Sequence, residues 1–443
     1  MSADLRGLSY FIRTFGCQMN ENDSERIAGL LEAEGASRAE AEEASDVVIV
    51  NTCSVRAKAE EKLYSYLGRL ARSTRARDAI IGVVGCVAQV RNTSLWDKRW
   101  RIHFILGPGH YELIPQIIRE RRAERVCITS RHRLWREWPA GRVRPSDRWS
   151  AYITIMEGCD NFCAYCVVPF ARGREIFRPA RLILNEVRDL AGRGVREIQL
   201  LGQNVNAYRD PGPDGWTLPD LLDAVAAQDG VEWIRFITSH PATFSAGLAR
   251  AMARNRKVCR QLHLPVQSGS GAVLVRMKRG YGREDYLDKV RLLRELMPGI
   301  QLSADIIVGF PGETDAEFDQ TLSLLEEVRF ANIFSFRYSP RPFAAASRGP
   351  DDVPPAIKRA RLTSVQGLQK GIQLELHHSF LGQSLTVLCR GRSKRDARGY
   401  AGRSEGNQVV NFSAVSEPEG PFVRVRITGC GPYSLRGERI EPV

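Results

Sequence analysis

Between residues 151 and 338 the chain alternates short apolar runs of strand length with amphipathic helical patterns, and this alternation restricts its possible folds more than any other feature. Strands are expected over 151–156, 196–201, 232–238, 261–266, 301–308 and 332–338, with helices near 180–192, 218–227, 243–254, 283–297 and 314–329. Strand–helix units in series build a parallel sheet covered by its crossover helices. Six strands are too few to close an eight-fold barrel. Functional groups of such folds gather at the rim where strands end.

Directly after the first of these strands stands Glu157-Gly158-Cys159-Asp160-Asn161-Phe162-Cys163-Ala164-Tyr165-Cys166. A Cys-x3-Cys-x2-Cys run can hold three corners of a cubane cluster, whereas full thiolate ligation of a [4Fe-4S] centre takes four, so one iron is left open. An open metal position is where chemistry takes place. A zinc site would pair two Cys-x2-4-Cys knuckles, and the sequence has no second one.

Cys159, Cys163 and Cys166, with Phe162 and Tyr165 among them, resemble the signature of radical S-adenosylmethionine (SAM) enzymes. The resemblance implies that the open iron chelates the amino and carboxylate groups of SAM. An electron from the reduced cluster then cleaves the sulfonium to a 5′-deoxyadenosyl radical. It also implies a partial (β/α)6 barrel for the middle of the chain, over about 145–377, and places Phe162 and Tyr165 among the cofactor-binding residues.

The first third carries a β-α-β-α-β pattern with strands over 8–15, 46–50 and 79–84. Asn22 and Glu25 read as the capping box of the first helix, which stops at Gly35, and a second helix covers 57–70. Cys17, Cys53 and Cys86 each follow a strand, 36 and 33 positions apart, so an open parallel sheet can bring them together on one edge. The words Thr14-Phe15-Gly16-Cys17-Gln18-Met19-Asn20, Asn51-Thr52-Cys53-Ser54-Val55-Arg56 and Gly85-Cys86-Val87-Ala88-Gln89 resemble the N-terminal domain of methylthiotransferases, over about 8–124. That resemblance implies that these cysteines hold a second [4Fe-4S] cluster, also with an open iron, where sulfur is attached, methylated and transferred.

Further words fall on the barrel rim. Gln203 and Asn204, in Leu200-Leu201-Gly202-Gln203-Asn204-Val205-Asn206, offer side-chain amides to a ribose, carboxylate or base edge. Gly309 and Gly312, in Val308-Gly309-Phe310-Pro311-Gly312-Glu313-Thr314, would let backbone approach the adenosyl group; the run lacks Gly-Lys-Ser/Thr and is no P-loop. Thr314 and Glu317 read as the capping box of the next helix. His240 and His263 read as hydrogen-bonded structural histidines, and Cys127, Cys259, Cys389 and Cys430 receive no role. These segments, with Val168-Pro169 and Arg172-Gly173, resemble the tRNA-modifying branch of the family, the 2-methylthio-N6-dimethylallyladenosine synthases. Phe343-Ala344-Ala345 departs from the Gly-Thr-Pro expected there, which bears on the substrate entrance.

Residues 120–149, rich in Arg and containing Pro139-Ala140-Gly141, read as a linker. After a helix over 355–378, four or five short strands over about 380–443 suggest a small β-barrel. Arg390, Arg392, Lys394, Arg395, Arg398 and Arg403 suit a nucleic-acid backbone, and Tyr400 or Phe412 could stack on a base. The segment resembles a TRAM domain, an RNA-binding module. The formal charge of +13 over 443 residues agrees with a polyanionic partner. Ten cysteines without a signal-peptide pattern, and no run of eighteen apolar residues, lead us to expect a cytoplasmic protein without a membrane span and without a disulfide framework.

The resemblance thus implies a tRNA methylthiotransferase acting on N6-(dimethylallyl)adenosine 3′ of the anticodon. Its partners would be the anticodon stem-loop of tRNA, an electron donor such as flavodoxin or ferredoxin and a sulfur donor, with the protein itself a monomer. Gln18-Met19-Asn20 and the basic C-terminal module favour that substrate over threonylcarbamoyladenosine in tRNA or an aspartate of a ribosomal protein. A non-catalytic RNA-binding redox sensor is the alternative from another class.

Overall fold

The computed structural model describes residues 5–73, 78–97, 99–120, 125–130, 135, 143–393 and 399–440. Pro139-Ala140-Gly141 of the expected linker, and Lys394, Arg395 and Arg398 of the basic loop, lie outside the described residues.

The N-terminal part is a fully parallel six-stranded sheet in the order Ser37–Arg38, Ser9–Phe15, Val47–Thr52, Ile80–Val84, Ile102–Leu106, Val126–Ile128. The three expected strands are its neighbouring centre. Val47–Thr52 is buried at every position, as a strand covered on both faces must be. Gly82 lies on that centre because a Cβ there would meet the Phe104 ring at 2.0 Å.

The first helix corrects the sequence reading. It runs Gln18–Ala33 with Cys17 as N-cap and Asn20 in the capping box, five residues before the expected Asn22–Glu25 box. Asn22, Asp23, Glu25 and Arg26 are instead buried inside it. Their polar groups are met across a domain interface. The Thr154 hydroxyl donates to Asn22 Oδ1 at 2.7 Å, Asn22 Nδ2 donates to the Tyr152 carbonyl at 3.1 Å, and Ser146 N–H donates to Glu25 Oε1 at 2.7 Å.

The middle of the chain is an open arc of six parallel strands in two three-stranded halves: Ser150–Thr154, Glu197–Leu201 and Trp233–Phe236, then Gln261–His263, Gln301–Val308 and Asn332–Arg337. The halves join through the segment before Gln261, where Cys259 N–H bonds the Ile234 carbonyl at 2.9 Å. Helices Ala180–Gly192, Leu218–Ala226, Ala246–Arg254, Arg283–Leu296, Asp315–Val328 and Pro355–His378 cover the outside and close one continuous core. Thr314 caps Asp315–Val328 in the expected box with Glu317.

The C-terminal part is a closed five-stranded barrel, Ser384–Arg392, Tyr400–Ser404, Val409–Ser413, Leu435–Arg439 and Phe422–Cys430 in spatial order. It is docked where the central strands begin. Arg235 donates to the carbonyls of Ser404 and Glu405 at 2.8 and 2.7 Å, Arg390 reaches Glu197 at 2.8 Å, and Trp233 meets Phe422 edge-on at 4.7 Å. Two expectations for RNA contact are corrected here. Arg390 points inward because Glu197 is a buried carboxylate that needs cations, and Tyr400 and Phe412, each 3% exposed, stack on one another in the barrel core. Among the described residues no helix is long and apolar enough to cross a membrane.

Candidate active site

Two cysteine triads occupy the two edges that face each other across the interface. Cys17, Cys53 and Cys86 follow three adjacent strands of the N-terminal sheet, paired in register with Phe15 opposite Thr52 and Asn51 opposite Val84. Asn20 and Asn51 clamp their loops. Asn20 Nδ2 donates to Asn51 Oδ1 at 2.9 Å, and Asn51 Nδ2 returns a bond to the Asn20 carbonyl at 2.9 Å. Gly85 has φ +92°, and a Cβ there would stand 2.3 Å from Asn51 Oδ1, so both the turn into Cys86 and the clamp require glycine. We expect Asn51→Ala to lower iron bound at this triad by at least half while the chain still folds, read as iron per chain after anaerobic reconstitution. Full iron loading would contradict the clamp.

The second triad hangs on a two-rung antiparallel ladder, Met156–Glu157 against Ile176–Phe177, that closes the loop between them. Gly158, at φ +82°, lies so close to Arg174 that a Cβ would meet its carbonyl oxygen at 2.0 Å. Cys159 N–H bonds the Gly173 carbonyl at 3.2 Å, Cys166 N–H that of Cys163 at 2.9 Å, and Ala164 N–H that of Met277 at 2.9 Å. The loop is therefore tied at both ends and at its middle.

The sulfurs are surrounded as thiolate ligands need to be. Cys159 accepts from Asn161 Nδ2 at 3.2 Å, Cys163 from Arg279 Nη1 at 3.3 Å, and Cys166 from Val168 N–H at 3.4 Å. Cys53 accepts from Val55 N–H at 3.3 Å and Cys86 from Arg172 Nε at 3.2 Å. The neighbouring Cys53 thiol lowers the Cys17 pKa, while Cys17 and burial together raise that of Cys53. Burial pushes the Cys159 and Cys86 thiols up, and Cys166 up to about 12. Such thiols ionise when a metal centre replaces their protons. Among the described residues no three His, Cys, Asp or Glu side chains close on one point as ligands of a single ion would. A [4Fe-4S] cluster takes its thiolates on separate irons, and three cysteines with hydrogen-bonded sulfurs in each triad fit that donor set.

The residues expected at the cofactor are placed as follows. Phe162, at φ +44° and 40% exposed, meets the edge of Phe170 at 6.3 Å and has Arg174 over its ring at 5.1 Å. The Tyr165 hydroxyl accepts from Arg279 at 3.2 Å. Gln203 Oε1 accepts Gly158 N–H at 2.5 Å and thus shapes the cysteine loop. Asn204 is buried, with its amide committed to Glu175 at 2.9 Å and Thr243 at 3.2 Å. Gly309, at φ +68°, packs where a Cβ would meet Lys358 Cγ at 2.4 Å, and Gly312 N–H bonds Asp352 at 2.8 Å, so both glycines serve the packing of the Pro355–His378 helix region. His240 lies 4.0 Å from Cys163 Sγ, and burial, aided by Arg279, lowers its pKa to about 3, which keeps it neutral. His263 bonds Ser303 Oγ at 3.1 Å.

Sequence reasoning missed Arg279, Asp23 and the asparagine clamp. The available signal was the run Asn20 to Arg26, whose density of polar residues at helix positions without an apolar face marks a buried polar interface.

An open arc of six parallel strands with a cysteine triad at its rim is the architecture of radical SAM enzymes, and the profile of the Radical SAM superfamily matches residues 153–325. Residues 9–107 match the family described as "Uncharacterized protein family UPF0004". A solved radical SAM methyltransferase from Kitasatospora setae shares the fold, with TM-score 0.55 and 17% identity over 77% of each chain. The SeMet-labelled cobalamin-dependent radical enzyme OxsB gives 0.52 with 12% identity, over 72% of this chain and 51% of that one. A tRNA-2-methylthio-N(6)-dimethylallyladenosine synthase of Geobacter metallireducens is 47% identical over 97% of both chains, and one of Geobacter sulfurreducens 46% identical over 97% of this chain and 96% of that one. The chain belongs to the family of tRNA-2-methylthio-N(6)-dimethylallyladenosine synthases.

Proposed function

We propose that the protein converts N6-(dimethylallyl)adenosine, 3′ of the tRNA anticodon, to its 2-methylthio derivative, with Cys159, Cys163 and Cys166 holding one [4Fe-4S] cluster and Cys17, Cys53 and Cys86 another. The observation that carries the reading is the meeting of the two triads across one interface, through Arg172 and Cys86, in a chain whose full-length relatives carry this activity in their names. A C2–H on an adenine ring is neither acidic nor electrophilic enough for acid–base or nucleophilic chemistry, so a radical route is needed. When bound, the cluster and SAM supply that radical, and the second cluster supplies a site for sulfur and its methyl group.

The chain's own residues position these groups. The tied Cys159–Cys166 loop holds the radical source at the rim, the asparagine clamp fixes the sulfur site, and the Gln18–Ala33 helix locks one against the other. On this reading a low-potential carrier such as flavodoxin or ferredoxin supplies electrons, a separate donor supplies sulfur, and the monomer acts on tRNA in the cytoplasm. The three functional parts are a methylthiotransferase domain over 8–124, a radical SAM core over 145–377 and a TRAM-like barrel over 380–443. The relatives' names favour the dimethylallyl substrate over threonylcarbamoyladenosine or a protein aspartate. Mass spectrometry of tRNA nucleosides from a deletion strain tests this. N6-(dimethylallyl)adenosine should accumulate as the methylthio form disappears, and an unchanged methylthio nucleoside would overturn the reading.

Phe343 belongs to the entrance. It is 54% exposed at φ +68°, and its ring lies 5.6 Å from that of Phe170, which meets Phe162. Phe343→Gly relieves about 1 kcal/mol of left-handed strain and loses a ring pair of about 1 kcal/mol. Denaturant melts should therefore coincide with the parent. The KM for tRNA should rise several-fold with kcat little changed, whereas a fall in kcat alone would place Phe343 outside the entrance.

A further inference from the structure

One buried arginine addresses a sulfur at each triad, and the two differ in how their charge is met. Arg279, 5% exposed, donates to Cys163 Sγ at 3.3 Å, to the hydroxyls of Tyr165 and Tyr281 at 3.2 and 2.8 Å, and to the Pro265 carbonyl at 2.8 Å. None of these partners is a carboxylate, and the charge-bearing groups around it are Tyr165, Tyr281 and Cys163. Arg172 is turned towards Cys86 in the same way, but its other two nitrogens face both oxygens of Asp23, at 2.5 and 3.5 Å, in a pair whose side chains are 2% and 1% exposed. Tyr111 hydroxyl completes that carboxylate at 3.1 Å. Arg172 also follows the short helix Val168–Ala171 that leaves Cys166, so one segment of chain carries a ligand of one triad and the charge beside the other.

The potential of an iron–sulfur cluster responds to hydrogen bonds to its sulfurs and to nearby net charge. A buried unit charge a few ångströms away acts through a low effective dielectric, whereas an ion pair at that distance largely cancels. We infer that Arg279 is an unneutralised cation that makes a cluster on Cys159, Cys163 and Cys166 easier to reduce, while Asp23 cancels the same influence of Arg172 at Cys17, Cys53 and Cys86. The single electron delivered by a low-potential carrier is thereby directed to the radical-generating triad, with no bond made or broken in that step. Arg279, Arg172 and Asp23 are positioning residues in this scheme, and the inference rests on the proposed ligation of both triads.

The test is an EPR-monitored redox titration of the reconstituted full chain with dithionite, each cluster read in a background where the cysteines of the other triad are Ala. Arg279→Gln should lower the reduced fraction of the first cluster about tenfold at fixed potential. Arg279→Lys, which keeps the charge and loses the bonding fork, should stay near the parent. Asp23→Asn should raise the reduced fraction of the second cluster, Arg172→Gln should lower it, and the double variant should return towards the parent. A merely structural role would move none of these with opposite signs. An unshifted Arg279→Gln, an Arg279→Lys that behaves like Gln, or an Asp23→Asn that fails to raise reduction would each overturn the inference. Should Arg279→Gln fail to load iron, the Lys and Asp23 arms decide. Absence of two cubanes in the parent chain would instead overturn the proposed function itself.

Discussion

Replacing Cys159, Cys163 or Cys166 by Ala is expected to abolish formation of 5′-deoxyadenosine from SAM in reduced protein, a loss to the background of the assay. Replacing Cys17, Cys53 or Cys86 is expected to spare much of that cleavage and to stop sulfur insertion into tRNA. The difference follows from geometry. The Cys159–Cys166 loop is held by its own ladder and by Met277 and Gly173, all within the central arc, so it survives loss of the other triad. The loops of Cys17, Cys53 and Cys86 depend on the asparagine clamp and meet the rim through Arg172 and the packing of Cys86 and Val90 against Val167 and Ala171. Chromatographic assay of 5′-deoxyadenosine alongside the modified nucleoside separates the two losses, and identical behaviour of both sets would contradict the division of labour.

Glu197→Ala is expected to be strongly destabilising, at about 3–5 kcal/mol. Glu197 is fully buried and accepts from Arg235 at 2.6 Å, Arg390 at 2.8 Å, Ser150 at 2.6 Å and Gln199 at 2.8 Å. Its removal leaves two arginines facing one another at the seam between the central arc and the C-terminal barrel. Denaturant unfolding should show the loss, and limited proteolysis should release the barrel. Burial pushes the Glu197 carboxyl up, but Arg235 and Arg390 outweigh it and hold the pKa below the ordinary glutamate value. A depressed folded pKa means that the stabilisation is complete above the unfolded value, about 4.3, and is lost as pH falls through the folded one. Stability should therefore be insensitive to this group at neutral pH and fall only in acid, and Glu197→Gln should remove that part of the acid dependence.

The six central strands and both triads were legible from the sequence because apolar strands and strand-end cysteines carry local, periodic signals. What was not legible was set by partners far along the chain. The Gln18–Ala33 helix begins at Cys17 because Asn20 closes its cap, while Asn22 and Glu25, which mimic a cap in sequence, are used 130 and 121 positions away by Tyr152 and Ser146. Arg390 looked like an RNA contact until Glu197 claimed it, and Tyr400 and Phe412 face inward on alternate positions of a closed barrel. The strand Val126–Ile128 was missed because it is short and gains its stability from the sheet edge it extends, whereas Ile102–Leu106 is an inner strand whose apolar run went unread.

The most direct measurement is made on reconstituted protein given SAM, reductant, sulfide and tRNA that carries N6-(dimethylallyl)adenosine. The account predicts 2-methylthio-N6-(dimethylallyl)adenosine in the digested tRNA together with 5′-deoxyadenosine and S-adenosylhomocysteine. Formation of 5′-deoxyadenosine with the nucleoside unchanged would contradict it.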